Sequence, residues 1–198
     1  TVYRSPTTSG YTLDTNIIAR SPMGTLLKVY DLNTDTGSGP SELAALGPGP
    51  YEVVDRRHML EVSFTISPNI QTISWDEFFG SVRNVIALRN PAYDNEWEII
   101  QFRQVDLVSG NTFRLRDLIR GQLGTEHVAM VEDIPLGYSA VILTEALGQS
   151  NVGSGQRNQL LNWKYGPTVR PIDDASYLTV QFTPRARGLR PYSPTHLR

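Results

Sequence analysis

A chain of 198 residues holds one large domain or two small ones, and 19% charged with 39% hydrophobic residues is a folded composition rather than a disordered one. A net charge of −2 gives no basic field for nucleic acid and no polybasic patch for a membrane. The chain has no cysteine, which excludes disulfides, thiolate-bound zinc and a cysteine nucleophile, and no apolar run reaches the roughly 20 residues of a spanning helix. It begins at Thr1 with neither an initiator methionine nor a signal peptide, and reads as a segment of a longer polypeptide.

Gly 16 and Pro 13 imply frequent chain reversals. Residues 1–24 are polar and weakly periodic, and are expected as an extended arm. Residues 25–32 (TLLKVYDL) read as a strand. A loop rich in glycine and proline follows, with SELAAL inside it as one helical turn capped by Ser41. Residues 60–66 (LEVSFTI) alternate apolar and polar, the pattern of a half-buried strand. Residues 75–81 (WDEFFGS) fit either a short helix or a loop. Residues 84–89, 96–108 and 112–119 are three strands joined by NPAYDN and SGN, both rich in turn formers, and so form a meander. Further strands are expected at 138–143, 158–165 and 177–183, with a flexible polar loop (GQSNVGSGQ) before the second of these.

No long amphipathic helix and no internal repeat of 20 to 50 residues is visible. The fold class is all-β: an antiparallel sandwich or distorted barrel with long loops and extended terminal arms. The expected organisation is an arm over 1–24, a β-rich domain over 25–183 that can split near 145–157, and an extended segment over 184–198.

The glycine turn at residues 120–125 (RGQLGT) lacks the lysine and the helix start of a phosphate loop, so Gly121 and Gly124 are read as suppliers of turn dihedrals, with Arg120 bracing the turn through nearby carbonyls. Three acid pairs, Asp76 with Glu77, Glu132 with Asp133 and Asp173 with Asp174, would suit glycoside hydrolysis only if two carboxyls met across a cleft. Adjacency in sequence does not provide that. His58, His127 and His196 have no metal-ligand spacing. Residues 31–42 place Asp31, Asn33 and Asp35 two apart with Glu42 at the twelfth position, as in a calcium loop. The strand before them and Pro40 within favour an ordinary Asx turn. Trp97 and Trp163 lie in strand patterns and are read as core. Trp75 and Tyr93 sit in loops and are the candidates for stacking on sugar. Neither a catalytic set, a metal site nor a cofactor is assigned.

Three motifs carry a resemblance. They are Glu98-Ile99-Ile100-Gln101-Phe102, then Leu118-Ile119-Arg120-Gly121 followed by Gly124-Thr125-Glu126, and last Arg190-Pro191-Tyr192-Ser193-Pro194-Thr195-His196-Leu197, with threonine where valine is usual. In this order they resemble the baseplate hub, or host-specificity, protein of gene transfer agents and related long-tailed phages. The resemblance covers most of residues 60–198 and is weaker over 1–59. It implies a structural virion protein at a tail tip that packs against copies of itself, commonly as a trimer, and against other tail and baseplate proteins. It also implies support for host attachment and DNA delivery. The glycosidase-type barrel of gene-transfer-agent members lies outside the matched residues, so no catalytic residue is carried over. Arg120, Gly121, Gly124, Thr125, Glu126, Arg190, Pro191, Pro194 and His196 are expected as structural motif residues. Two rival readings are a module binding host surface polysaccharide and a hydrolase of cell-envelope glycan.

Overall fold

Antiparallel strands account for most of the regular structure. The computed structural model describes residues 1–50, 53–93 and 96–187. In chain order the elements are β1 (Val2–Ser5), β2 (Thr12–Thr15), β3 (Met23–Asp35), β4 (Pro40–Leu43), β5 (Ala45–Leu46), β6 (Val54–Asp55), β7 (His58–Phe64), α1 (Trp75–Gly80), β8 (Val85–Asn90), β9 (Glu96–Ser109), β10 (Thr112–Ile119), α2 (Glu126–Ala129), β11 (Ile134–Pro135), β12 (Ser139–Ile142), β13 (Leu161–Tyr165) and β14 (Leu178–Phe182). They fall into two compact units: residues 1–20 with 145–186, and residues 21–144 with the segment beginning at Arg187.

The larger unit is a six-stranded antiparallel barrel in the order β12-β8-β9-β10-β7-β3, closed by the pairing of β3 with β12. Of the two outcomes expected from the sequence, the barrel is the one found. Its interior is filled by side chains, as a barrel this narrow must be. Leu60, Ile86, Leu88, Ile100, Phe102 and Leu115 are fully shut off from water. Each such side chain contributes about 1.5–3 kcal/mol on burial.

β3 does two jobs because it bends. An extra residue at Leu27 shifts its register against β7 between Leu26 and Lys28. Such a bulge kinks a strand. The first part of β3 then meets β12 (Thr25 opposite Ser139), and the later part meets β4 (Tyr30 opposite Glu42). This corrects the reading of SELAAL as a helical turn. Ser41 is not a cap but lies opposite Asp31 in a strand pair, and Glu42 is ion-paired to Lys28 at 2.6 Å. An open ladder edge on β3 outweighs a local helix preference this short.

The smaller unit is a four-stranded antiparallel sheet, β14-β13-β1-β2. Residues 1–20 are extended, but as two of its strands and not as a free arm: Tyr3 lies opposite Lys164, and Arg4 opposite Trp163. Both halves of this sheet come from the ends of the chain, so a local reading of residues 1–24 finds no partner for them. Buried Tyr177 packs on Tyr3 and donates its hydroxyl to the carbonyl of Pro167 at 2.9 Å. The division of the chain falls after Thr144.

Candidate functional site

The motif of residues 118–127 closes one end of the barrel. Along β10 the inward residues are Phe113 and Leu115, and then Leu118 rather than residue 117. The change of parity occurs at Asp117, which has a left-handed φ of 54°. Aspartate tolerates that region better than most residues. Arg103 of β9 holds it by an ion pair of 2.6 Å. The consequence is that Leu118 and Arg120 share the core-facing side, and an arginine is delivered into the barrel end.

Arg120 has no solvent exposure, and neither has Glu98, its partner on β9. The two meet in a fork: Nε donates to Oε1 at 2.8 Å and Nη2 donates to Oε2 at 2.6 Å. A bidentate guanidinium–carboxylate pair is the geometry in which two buried charges satisfy each other most fully. The remaining nitrogen, Nη1, donates to the carbonyl of Gly47 at 2.5 Å. Glu98 also accepts from the N–H of Gly121 at 3.3 Å. Arg120 thus braces the turn through a carbonyl, as expected, and also through a carboxylate that sequence reading did not single out.

The neighbouring backbone is shaped around this pair. A Cβ on Gly49 would come 2.5 Å from Arg120 Nη1, and the Gly49 N–H donates to the carbonyl of Ala129 at 3.1 Å. The Gly-Pro-Gly-Pro stretch is therefore a close cover over the guanidinium. Gly121 has φ 66°, and a Cβ there would lie 2.7 Å from the Cα of Glu126. Gly124 has φ 84°. Thr125 accepts from the N–H of Ile99 at 2.9 Å and donates to the carbonyl of Gln122 at 2.8 Å, tying the turn to β9. Glu126 opens α2 and supplies the backbone against which Gly121 rests.

On the outer side of the turn, His127 faces the Gly124 carbonyl through Nδ1 at 3.1 Å and the Glu96 carboxylate through Nε2 at 2.5 Å. Tyr93 meets the His127 ring edge-on, with centroids 5.8 Å apart. Arg187 lies against His127 Nε2 and donates to Glu96 at 3.1 Å. A histidine beside a carboxylate has the form of a general-base pair. Among the described residues, however, no hydroxyl hydrogen-bonds either ring nitrogen of His127. The arrangement is a clamp between the turn, β9 and Arg187.

The other sequence candidates do not converge. Asp31 has both oxygens engaged: it accepts from Arg57 at 2.7 Å and from the N–H of Asn33 at 2.9 Å, the second contact being the expected Asx turn. The Arg57 hydrogen bonds, and next the Asn33 N–H, hold its carboxyl down at about 2, against the upward push of burial. Glu42 pairs in register with Tyr30, the neighbour of Asp31, so the two acids point to opposite faces of the hairpin. They cannot close on one cation, and no cluster of three metal-ligating side chains occurs among the described residues.

Glu77 caps α1 through the N–H of Ser74 and pairs with Arg83 at 2.9 Å, while Asp174 accepts from the N–H of Ser176 at 2.9 Å. His58 is buried against Asp55 at 2.7 Å. Burial tends to raise the Asp55 carboxyl, but the hydrogen bond and charge of His58, with the nearby N–H groups, leave it below its ordinary value.

Trp75 is half-buried in α1, with Phe79 stacked on it at 5.7 Å and the Arg103 guanidinium 4.2 Å from its ring centre. The exposed ring of that cluster is Phe79, which sequence reading passed over. Trp97, read as core, faces outward because its neighbour Glu98 faces in. Arg190, Pro191, Pro194 and His196 lie outside the described residues. Among the described residues no helix is long and apolar enough to cross a membrane.

No curated protein matches the chain. Residues 41–141 match the family described as Rcc01698-like, C-terminal. That span runs from β4 into β12 and contains Glu98, Arg120 and the whole of the turn between them and His127. It covers just over half of the chain, which therefore belongs to the Rcc01698-like C-terminal family.

Proposed function

We propose that this chain is a structural part of the tail tip, or baseplate hub, of a phage or gene-transfer-agent particle, and not an enzyme. The family match over residues 41–141 carries the proposal. Support comes from the motifs that resemble hub proteins: two of them, around Glu98 and around Arg120, meet in one buried ion pair. Their side chains are spent on bracing the barrel end, which suits a part whose work is to be rigid. The proposed partners are copies of itself and other tail and baseplate proteins, with attachment to host surface polysaccharide as the outcome the assembly serves.

The test is to purify particles released by cells that carry this gene, and to locate the chain with an antibody. The expected result is co-sedimentation with intact particles and label at the tail end. Recovery only as free protein, or label on the head, would remove the proposal.

A further inference from the structure

One face of the small sheet is aromatic and open, and the bracing of the barrel end makes no use of it. Residues opposite each other in a ladder share a face. Trp163 therefore lies on the same side as Arg4 of β1 and Val180 of β14, and Tyr165 lies there with Val2 and Leu178. Phe182 stands on the next rung, opposite Leu161. Same-face rungs are about 6.5 Å apart, so Tyr165, Trp163 and Phe182 follow one another in file along the strands. Tyr165 is 44% exposed and Phe182 60%, and the Phe182 ring lies 6.1 Å from that of Trp163. Toward β1 and β2 the face is walled by the polar loop at residues 148–151. A Cβ on Gly148 would come 3.0 Å from the Ile17 side chain and 3.1 Å from that of Thr15. Trp163 Nε1 donates to Ser150 Oγ at 3.3 Å, and Arg4 Nη1 donates to Ser150 Oγ at 3.1 Å and to the Asn151 carbonyl at 3.0 Å. Gln149, Ser150 and Asn151 are exposed. At its Tyr165 end the file of rings runs into a cleft of about 380 Å³, whose lining includes Val2, Ile17, Tyr165, Pro167, Ser176 and Leu178.

We propose that this face binds a neutral glycan chain, laid along the file of Tyr165, Trp163 and Phe182 with its hydroxyls toward the loop of Gln149, Ser150 and Asn151. A sugar ring presents a C–H face, which packs on an aromatic ring, and a rim of hydroxyls, each of which donates and accepts. The aromatic floor and the amide and hydroxyl wall offer both in one groove. A wholly apolar occupant would bury the polar loop without partners, at a cost in desolvation. A charged one would meet no free counter-charge. Among the paired residues of this face only Arg4 is charged, and Asp14 stands 3.5 Å from it. Lys164 is the neighbour of Trp163 on β13 and so points to the opposite face.

The site names a place for the polysaccharide attachment proposed above, and in that respect it rests on that reading. The probe is envelope polysaccharide from cells that carry this gene, split on an anion exchanger into neutral and acidic fractions. Each fraction is cast into native gels, and the mobility of the chain is followed as the polysaccharide concentration rises. Tyr165→Ala and Phe182→Ala remove rings from the open part of the face. Phe79→Ala removes the exposed ring beside Trp75 and serves as the control. The expected result is retardation of the unaltered chain and of Phe79→Ala by the neutral fraction. Tyr165→Ala and Phe182→Ala should each weaken it about tenfold, the scale of one aromatic contact, while keeping the circular dichroism and melting temperature of the folded chain.

No retardation by the neutral fraction, or retardation by the acidic fraction alone, would overturn the proposal. Equal retardation of the unaltered chain, Tyr165→Ala and Phe182→Ala would overturn it too, by placing the glycan elsewhere. So would self-association in light scattering that Phe182→Ala abolishes, since the face would then belong to a protein contact. Each of these failures leaves the tail-tip reading standing, because the antibody label on particles tests that reading separately.

Discussion

Arg120 gives up all of its hydration, and so does Glu98. Each charge is tolerable only because the other is there, so the pair is worth most when one member is removed. Arg120→Met should cost about 3–5 kcal/mol, since it strands a buried carboxylate. Adding Glu98→Leu to it should recover most of that loss, because well-packed apolar replacements of a buried pair are often neutral. Urea denaturation of the two single variants and the double variant measures this. A single variant that loses less than the double would contradict the account.

Asp31 makes a different kind of contribution, visible through acid. Its folded value of about 2 lies below its ordinary 3.8, so its stabilisation is complete above the ordinary value and is lost as pH falls through the folded one. Asp31→Asn should therefore melt lower than the unaltered chain at neutral pH, and the gap should shrink between about pH 4 and pH 2. A gap that stays constant down that range would mean that the Arg57 contact does not hold the carboxylate.

Among the elements, β3 is the one on which closure of the barrel depends. At Gly24 it is flanked on both sides, by Phe64 of β7 and by Ala140 of β12. A methyl group there would run into the carbonyl of Ser63 and the ring and Cα of Phe64, all within the ladder. Gly24→Ala should therefore loosen the pairing of β3 with its neighbours and raise hydrogen exchange at Thr65, whose N–H donates to Met23, and at Leu26, whose N–H donates to Tyr138 beside β12, with a loss of stability of about 1–3 kcal/mol, as for other overpacked sites. Unchanged exchange at those amides would show that the strand shifts without harm.

The strands from residue 84 to 119 were legible because each is a run of strand-forming residues bounded by turn formers. What alternation could not show was the flip at Asp117, since a single left-handed residue reverses every inward side chain after it. The burial of Arg120 follows from that flip, and it was out of reach for the same reason. α1 carried a readable signal that was missed: Ser74 and Glu77 form a capping box, and the spacing is plain in the sequence.

At the scale of the whole molecule, composition and patterning were enough for an all-β chain. They were not enough for the origin of the small sheet, whose strands pair across nearly the full length of the chain. Val2 lies opposite Tyr165, and the side chain of Asn162 reaches the carbonyl of Ser5 from 157 positions away. No window of sequence contains both partners, so β1 and β2 look like an unattached arm until the fold is known.

The same separation sets an order of events during synthesis. As the chain leaves the ribosome, β1 and β2 emerge ahead of the barrel strands and, of the small sheet, have only each other, a pair too small to persist in water. The barrel strands follow and can close among themselves. Only when β13 appears do β1 and β2 find their place, so they settle after the barrel strands that follow them in the chain.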